Sequence, residues 1–246
     1  MKDLKNILEE CSINDIYFSN SGVSILYKIP IYQRNYAWGR EEIYALIKDV
    51  HDSLEKSVYY IGTLVTRDEN IFEVIDGQQR LTTIHIILKA LGIETIANCL
   101  TYSARKVSAM TIEKMPKFGE EKDKGIVDGF SYAKEAIKDI VGEKKADIDA
   151  FKDFFLNKVH IIHYRVPKDV DLNHYFEVMN SRGEQLEKHE IVKAKLSEQL
   201  IGDEDAMEKF SRIWEACSDM SFYIQQKLPD MTTVFGKTMD DFVIES

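Results

Sequence analysis

The sequence predicts an α+β protein: a small mixed sheet with flanking helices, followed by a mainly helical C-terminal part. In the first 100 residues, short runs of alternating apolar residues are interleaved with apolar residues at helical spacing. From residue 171 onward the helical spacing is nearly continuous. With 44% apolar residues and only 12 Gly and 4 Pro in 246 residues, the chain can build a sizeable core and is not of low complexity.

The first part is predicted to contain a hairpin and an amphipathic helix. Residues 59–66 and 71–75 alternate as strands around the polar turn 68–70. Residues 41–54 place apolar side chains at helical spacing. The other elements predicted in this part are helices over 2–10, 81–91 and 93–100, and a strand over 23–29.

The second part is predicted to be helical with one returning strand. Residues 101–125 are polar and contain one Pro and two Gly, which is typical of an extended connection or an insertion. A strand is predicted over 159–166. Helices are predicted over 126–141, 147–158, 171–180, 187–201 and 204–219, with one further helical piece after Phe222. We therefore expect an α/β core in residues 1–100, a connection in 101–125 and a mainly helical part in 126–246.

Composition and charge restrict the classes of function. Three cysteines without CxxC spacing favour neither a disulfide framework nor a zinc site. His160 and His163 fall on opposite faces of a predicted strand, so they make a poor metal pair. No apolar run reaches membrane-spanning length and the N-terminus is not a signal peptide, so we expect a cytoplasmic protein. A net charge of −10 means that DNA binding would need a local basic patch.

The most informative segment is FEVIDGQQRLTTI, residues 72–84, which is predicted to join a strand to a helix. The strand ends at Asp76, Gly77 permits a tight turn, and the helix is expected to begin near Leu81. A helix N-terminus carries free N–H groups and the positive end of the helix dipole, so this junction favours an anion. The segment is not a Walker P-loop, because it has one Gly and no GxxxxGK[ST] pattern.

Polar side chains around this junction suit phosphate chemistry. Arg80 can fork onto phosphate oxygens, and Asp76 can hold a hydrated divalent cation or orient water. The amides of Gln78 and Gln79 can position a water or bind a base edge. The hydroxyls of Thr82 and Thr83 can donate hydrogen bonds. The alternative is a surface turn whose Asp and Thr only cap a helix.

Two further clusters accompany this motif. IPIYQRNYAW, residues 29–38, offers Gln33 and Arg34, while its aromatic residues are expected to belong to the core. FEVMNSRGEQL, residues 176–186, offers Asn180 and Arg182, but Gly183 also suits the end of a helix. For each cluster, the residue pattern alone leaves open whether these polar side chains bind a ligand or only belong to a solvated loop or a helix end.

These clusters, in this order, resemble the N-terminal domain of the GmrSD-type restriction endonucleases. The similarity is carried by IPIYQRNYAW, YYIGTLV, FEVIDGQQRLTTI and FEVMNSRGEQLEKHEIVKAKL, and it runs from about residue 12 to residue 200. The DGQQR core is its most specific part. The resemblance implies a ParB/sulfiredoxin-like fold for the sheet and its flanking helices.

The resemblance also implies a role in phage defence against DNA that carries modified bases. In such systems this domain binds and hydrolyses a nucleoside triphosphate with Mg²⁺ and controls a separate HNH-type nuclease. The residues it assigns to catalysis are Asp76, which also holds the metal, Gln78, Gln79 and Arg80. The residues expected to contact the nucleotide are Gln33, Arg34, Gly77, Arg80, Thr82, Thr83, Asn180 and Arg182.

Three functions remain open on the sequence. The first is this regulatory nucleoside triphosphatase. Residues 200–246 contain no nuclease motif, so we expect the nuclease either in another part of a longer protein or on another polypeptide. The second is a DNA-binding module that senses modified DNA without turnover, motivated by the basic stretch Arg105–Lys124 and the aromatic residues near Trp38. The third is a ParB-like nuclease. The partners expected are DNA and an HNH-type nuclease, and a homo-oligomer is left open.

Overall fold

A six-stranded mixed sheet is the central feature of the computed structural model, which describes residues 8–18, 26–68, 71–94, 99–167, 170, 192–193, 196–197, 199–200 and 203–218. The sheet order is β1-β6-β3-β4-β2-β5. β1 is antiparallel to β6 and β3 is antiparallel to β4, whereas the β6–β3, β4–β2 and β2–β5 pairs are parallel. The strands are β1 (Leu8–Ser12), β2 (Tyr27–Ile29), β3 (Tyr59–Asp68), β4 (Phe72–Asp76), β5 (Leu100–Tyr102) and β6 (Val159–Val166).

Helices flank this sheet, as the predicted α+β class requires, and the fold class is confirmed. The last of them, α7, confirms the helix predicted over 204–219. The helices are α1 (Ile13–Tyr17), α2 (Arg40–His51), α3 (Gln78–Ala90), α4 (Lys106–Lys114), α5 (Lys124–Ala136) with a π-helical continuation over Ile137–Val141, α6 (Lys145–Asn157) and α7 (Glu204–Ser218).

The main core lies between one face of the sheet and α3. Every residue of α3 from Gln78 to Leu88 is buried except Arg80, which is partly exposed, so the helix is enclosed on nearly all sides. Leu64 of β3 and Val74 of β4 face this core, while their neighbours Val65 and Ile75 face a small cluster on the other side of the sheet, because successive strand residues point to opposite faces. α3, which begins within the DGQQR segment, is therefore enclosed in the centre of the described structure.

The predicted hairpin and the predicted returning strand are confirmed. β3 and β4 pair as antiparallel neighbours, with Arg67 opposite Glu73. β6 occupies residues 159–166 and lies between β1 and β3 in the sheet. One sheet thus takes strands from both the first and the last of the three predicted parts, and the three-part division itself stays a prediction.

The helix predicted over residues 2–10 is wrong at its C-terminal end. Residues 8–10 belong to β1, which pairs with β6 through partners such as Leu8 with Tyr164 and Cys11 with Ile161. The apolar spacing that suggested a helix does not mark a buried face, because Leu8 is 57% exposed. Pairing with a strand 150 residues away decides the conformation, and no local pattern contains that partner.

The prediction for residues 93–125 also needs correction. Leu100 lies in β5, not in a helix, because residues 100–102 pair in parallel with β2. Residues 101–125, expected to be an extended connection or an insertion, contain the end of β5, all of α4 and the start of α5. Asp123 ties the two helices together: its carboxylate accepts a hydrogen bond from Ser108 Oγ at 2.6 Å, and its N–H donates to Thr111 Oγ1 at 2.9 Å.

The helices predicted over 41–54, 126–141 and 147–158 are confirmed as α2, as α5 with its π-helical continuation, and as α6. Other predictions concern chain that the structure does not describe or describes only in part. The helices predicted over 171–180 and 187–201 lie largely outside the described residues, as does the segment after Phe222. Of the strand predicted over 23–29, residues 23–25 lie outside the described residues, and β2 forms the strand at Tyr27–Ile29.

A buried histidine gives the fold a predictable dependence on pH. His163 is 1% exposed and its Nε2 atom lies 2.8 Å from Thr66 Oγ1, while burial lowers its pKa from 6.5 to about 4. The unfolded chain therefore takes up a proton at a pH where the folded chain does not. We expect the free energy of unfolding to fall as the pH decreases from 7 to 5, with a contribution of about 2 kcal/mol from His163. Urea unfolding at each pH measures this loss.

The variant His163→Gln is the comparison for this test, since an amide retains a hydrogen-bonding group near Thr66 but does not titrate. Its free energy of unfolding should change less between pH 7 and pH 5 than that of the wild type. Equal pH dependence in the two proteins would show that His163 is not responsible.

Candidate functional site

The strand-to-helix junction forms at Gly77. β4 ends at Asp76, Gly77 takes a left-handed conformation with φ 90°, and α3 begins at once with Gln78, three residues earlier than the sequence predicts. The first intrahelical bond runs from Leu81 N–H to the Gly77 carbonyl at 2.9 Å, and the N-cap residue Gly77 has no side chain that could cap the helix. The N-terminus of α3 thus presents main-chain N–H groups and the positive end of its dipole.

Gly77 is required by a close main-chain contact as well as by its φ angle. A Cβ atom at this position would lie 2.9 Å from the Thr63 carbonyl oxygen and 3.4 Å from Leu64 Cα. β3 therefore approaches the junction so closely that no side chain fits between them.

The Gln33–Arg34 segment packs against this junction, as the motif order led us to expect. Gln33 Nε2 donates to the Ile75 carbonyl at 2.6 Å, and Gln78 Nε2 donates to the Arg34 carbonyl at 3.2 Å. Both glutamine side chains are buried. Two segments more than 40 residues apart in the chain therefore form one site.

Gln79 forms two further hydrogen bonds to the loop that contains Gln33 and Arg34. Its Oε1 atom accepts from Ala37 N–H at 2.9 Å, and its Nε2 atom donates to the Asn35 carbonyl at 2.7 Å. Both ends of the amide are used on main-chain atoms. This geometry supports a structural role, and the catalytic role predicted for Gln79 stays a prediction that these contacts do not favour.

Arg34 and Arg80 bring positive charge to the site, and neither has a neutralising partner among the described residues. Arg34 is exposed, and Arg80 is partly exposed with Nη1 donating to the Thr63 carbonyl at 2.7 Å. Within the described ranges, neither guanidinium forms an ion pair. Each retains N–H donors that can meet an anion.

Asp76 is the only predicted metal ligand, and it is exposed at the end of β4. Among the residues that the structure describes, no group of three or more His, Cys, Asp or Glu side chains could hold a metal ion. A single carboxylate suits Mg²⁺ that is bound mainly by substrate phosphates and water, and it does not suit an all-protein metal site.

Thr82 and Thr83 point into the core. Thr82 Oγ1 lies 2.8 Å from the Tyr102 hydroxyl, and Thr83 Oγ1 lies 2.8 Å from the Tyr36 hydroxyl and donates to the Gln79 carbonyl at 2.9 Å. Both threonines are fully buried, and burial raises the pKa of Tyr36 and of Tyr102 above its ordinary value. The nucleotide-binding role predicted for the threonines stays a prediction, since these hydroxyls are already paired within the protein.

The third cluster cannot be placed against the other two. Asn180 and Arg182, predicted to contact the nucleotide, lie outside the described residues.

Arg105 is a residue of the site that the sequence interpretation missed. It was grouped with the basic stretch 105–124, but it is 8% exposed, and its Nη2 atom donates to the carbonyl oxygens of Gln33 and Ile31. It therefore supports the Gln33–Arg34 loop from beneath. No sequence signal separates Arg105 from its exposed basic neighbours, because its acceptors are main-chain atoms 70 residues away.

The comparison with known families agrees with this architecture. The family model described as GmrSD restriction endonuclease, N-terminal domain, matches residues 13–197, about three quarters of the chain. The chain belongs to this family. A GmrSD N-terminal domain is part of a restriction system.

The match covers the segments that build the site, including those that contain Gln33, Gly77 and Arg80. No curated protein gives a significant match to this chain. Within the described ranges, no helix is long and apolar enough to cross a membrane.

Replacing Gly77 tests the close approach of β3 to the junction of this GmrSD domain. Gly77→Ala should lower the free energy of unfolding by more than the roughly 1–3 kcal/mol that left-handed strain alone costs, because its methyl group meets the Thr63 carbonyl. Gly92→Ala is the matched control, with φ +72° and open space around the added Cβ. Equal losses in the two variants, measured by denaturant unfolding, would contradict the steric argument.

Replacing Gln79 tests the double hydrogen bond to the 35–37 main chain. Gln79→Leu should reduce the free energy of unfolding by about 1–3 kcal/mol, because it removes the partners of one main-chain donor and one acceptor. Gln79→Glu keeps an acceptor for Ala37 N–H, but at neutral pH its carboxylate has no proton to donate to the Asn35 carbonyl, so this variant should also lose stability. If Gln79→Leu is as stable as the wild type, the two hydrogen bonds of Gln79 do not hold the loop in place.

Proposed function

We propose that this GmrSD N-terminal domain binds and hydrolyses a nucleoside triphosphate in a restriction system that acts on modified DNA. Through this turnover it would regulate a separate HNH-type endonuclease. The observation that supports the proposal is a pair of arginines at the N-terminus of α3: Arg80 lies in its first turn, and the Arg34 main chain accepts a hydrogen bond from Gln78 in the same turn. Neither guanidinium has an ion-pair partner among the described residues.

The electrostatics of the junction suit a polyphosphate. Two arginines and a helix N-terminus provide the charge compensation and main-chain donors that phosphate oxygens prefer. The positive charge is local, because the whole chain carries −10. A compact anion bound at this point therefore gains from nearby donors despite the repulsive overall field.

Asp76 and Gln78 are the residues best placed for the hydrolytic step. Asp76 is exposed next to the junction and would hold Mg²⁺, which when bound neutralises phosphate charge. Gln78 is anchored by its Nε2 atom to Arg34, whereas its buried Oε1 atom has no donor within the described part of the chain. This acceptor would orient an attacking water through the water's O–H after a side-chain movement that exposes it, and Gln79, paired at both ends, has no comparable atom.

The two alternative functions receive less support from the described residues. Arg105, part of the basic stretch that motivated a DNA-binding module, is buried against carbonyl oxygens, and Lys106 Nζ lies 3.7 Å from Glu208 Oε2. A ParB-like nuclease would need a richer set of metal ligands than the single exposed carboxylate of Asp76.

Nucleotide binding and phosphate release test the proposal. Titration of the full chain with Mg²⁺ and each of ATP, GTP, CTP and UTP should reveal at least one ligand. Arg34→Ala and Arg80→Ala should each weaken its binding about ten- to hundredfold, the loss expected for a charge-assisted hydrogen bond. Asp76→Ala should abolish Mg²⁺-dependent phosphate release.

Arg40→Ala is the matched control, because Arg40 is an exposed arginine that pairs with Glu135 on the surface at 3.0 Å. It should bind and hydrolyse like the wild type. Phosphate release that persists unchanged in Asp76→Ala and Arg80→Ala would refute the proposal. DNA binding that falls steeply with salt and does not depend on nucleotide would favour the DNA-binding module instead.

A further inference from the structure

Gly62 of β3 lies directly against the guanidinium of Arg80. A Cβ atom at Gly62 would be 3.0 Å from Arg80 Cζ, 3.1 Å from Nη2 and 3.2 Å from Nη1. These three atoms form the flat end of the guanidinium, so its plane packs over the bare main chain of Gly62. A Cβ atom at position 62 would require the guanidinium to move away by a few tenths of an ångström.

The main chain around Gly62 is shaped for this contact. Gly62 has φ +115°, a value that residues with side chains rarely adopt, and the register between β3 and β6 shifts between Tyr60 and Thr63. An irregularity of this kind changes the direction of the strand's main-chain groups. The next residue, Thr63, uses its carbonyl oxygen to accept from Arg80 Nη1 at 2.7 Å.

The two contacts together fix the orientation of a long and flexible side chain. One side of the guanidinium is held by a hydrogen bond and its face rests on glycine, while the remaining N–H donors stay available. An arginine held by a carbonyl also keeps its full charge for a ligand, unlike an arginine paired with a carboxylate. Preorganising the donor in this way lowers the entropic cost of binding an anion.

We propose that Gly62 is a positioning residue for Arg80: the missing side chain at position 62 sets the direction from which the guanidinium meets the polyphosphate. This inference rests on the proposed function, because it names the residue that aims one of the two arginines of that site. Gly62 itself does not touch the ligand in this arrangement.

A double-mutant cycle between Gly62 and Arg80 tests the inference. The four proteins are the wild type, Gly62→Ala, Arg80→Lys and the double variant, and the readout is the dissociation constant for the Mg²⁺-nucleoside triphosphate identified above. Gly62→Ala should weaken binding about tenfold in the wild-type background, the value of one misdirected charge-assisted hydrogen bond. In the Arg80→Lys background the same change should matter less than about twofold, since the smaller ammonium has no planar face to displace.

Gly142→Ala controls for backbone strain, because Gly142 has φ +94° and nothing lies within 4 Å of an added Cβ. It should leave nucleotide affinity unchanged while its melting temperature reports the cost of the strain. Equal effects of Gly62→Ala in both backgrounds, or unchanged affinity in Gly62→Ala, would overturn the inference. A wild-type protein that binds none of the four nucleotides would instead refute the proposed function.

The melting temperatures of the same four proteins separate these two failures. If Gly62 and Arg80 are in contact, Gly62→Ala should lower the melting temperature by different amounts in the Arg80 and Arg80→Lys backgrounds, whether or not nucleotide binds. Purely additive shifts would show that Gly62 does not act on Arg80.

Discussion

Hydrogen bonds from glutamine side chains to main-chain atoms join two distant segments of this domain. Gln33 reaches the last residues of β4, and Gln78 and Gln79 reach back to the loop over residues 34–37. The amide group suits this task because it donates and accepts at the same time and carries no charge. Since these side chains are largely buried, breaking any of them leaves main-chain groups without partners, and the loop and the helix therefore keep one relative position.

In this arrangement the arginines of the site are held by main-chain carbonyl oxygens and keep their positive charge. The glutamines form the structural hydrogen bonds, and Arg80 is held by the carbonyl of Thr63 and pairs with no carboxylate of the described part of the chain. Arg105 acts in the same way beneath the loop, with carbonyl oxygens as acceptors. Carbonyl acceptors hold a guanidinium in place without cancelling its charge, so positive potential persists locally in a chain of net charge −10.

Elements that depend on interactions between residues close in sequence were predicted correctly, whereas elements that depend on partners far along the chain were not. The hairpin of β3 and β4 and the strand β6 were predictable, because their alternating patterns and turn residues are local. β1 and β5 were not, because each is short and becomes a strand by pairing with a partner far along the chain. The stretch 101–125 looked like a connection because its stabilising contacts, such as Ser108 with Asp123, are between polar side chains that composition alone reads as loop.

Motif order, apolar periodicity and one residue that tolerates a left-handed conformation were sufficient to predict the family, the mixed α+β class and the strand–Gly–helix junction. Only the tertiary structure divided the DGQQR residues by position: Gln79 turned to the main chain, Thr82 and Thr83 turned into the core, and Arg80 lying over Gly62. Adjacent residues on a helix point in directions about 100° apart, so neighbours in one motif meet different surroundings, and those surroundings come from β3, β5 and the loop at residues 34–37.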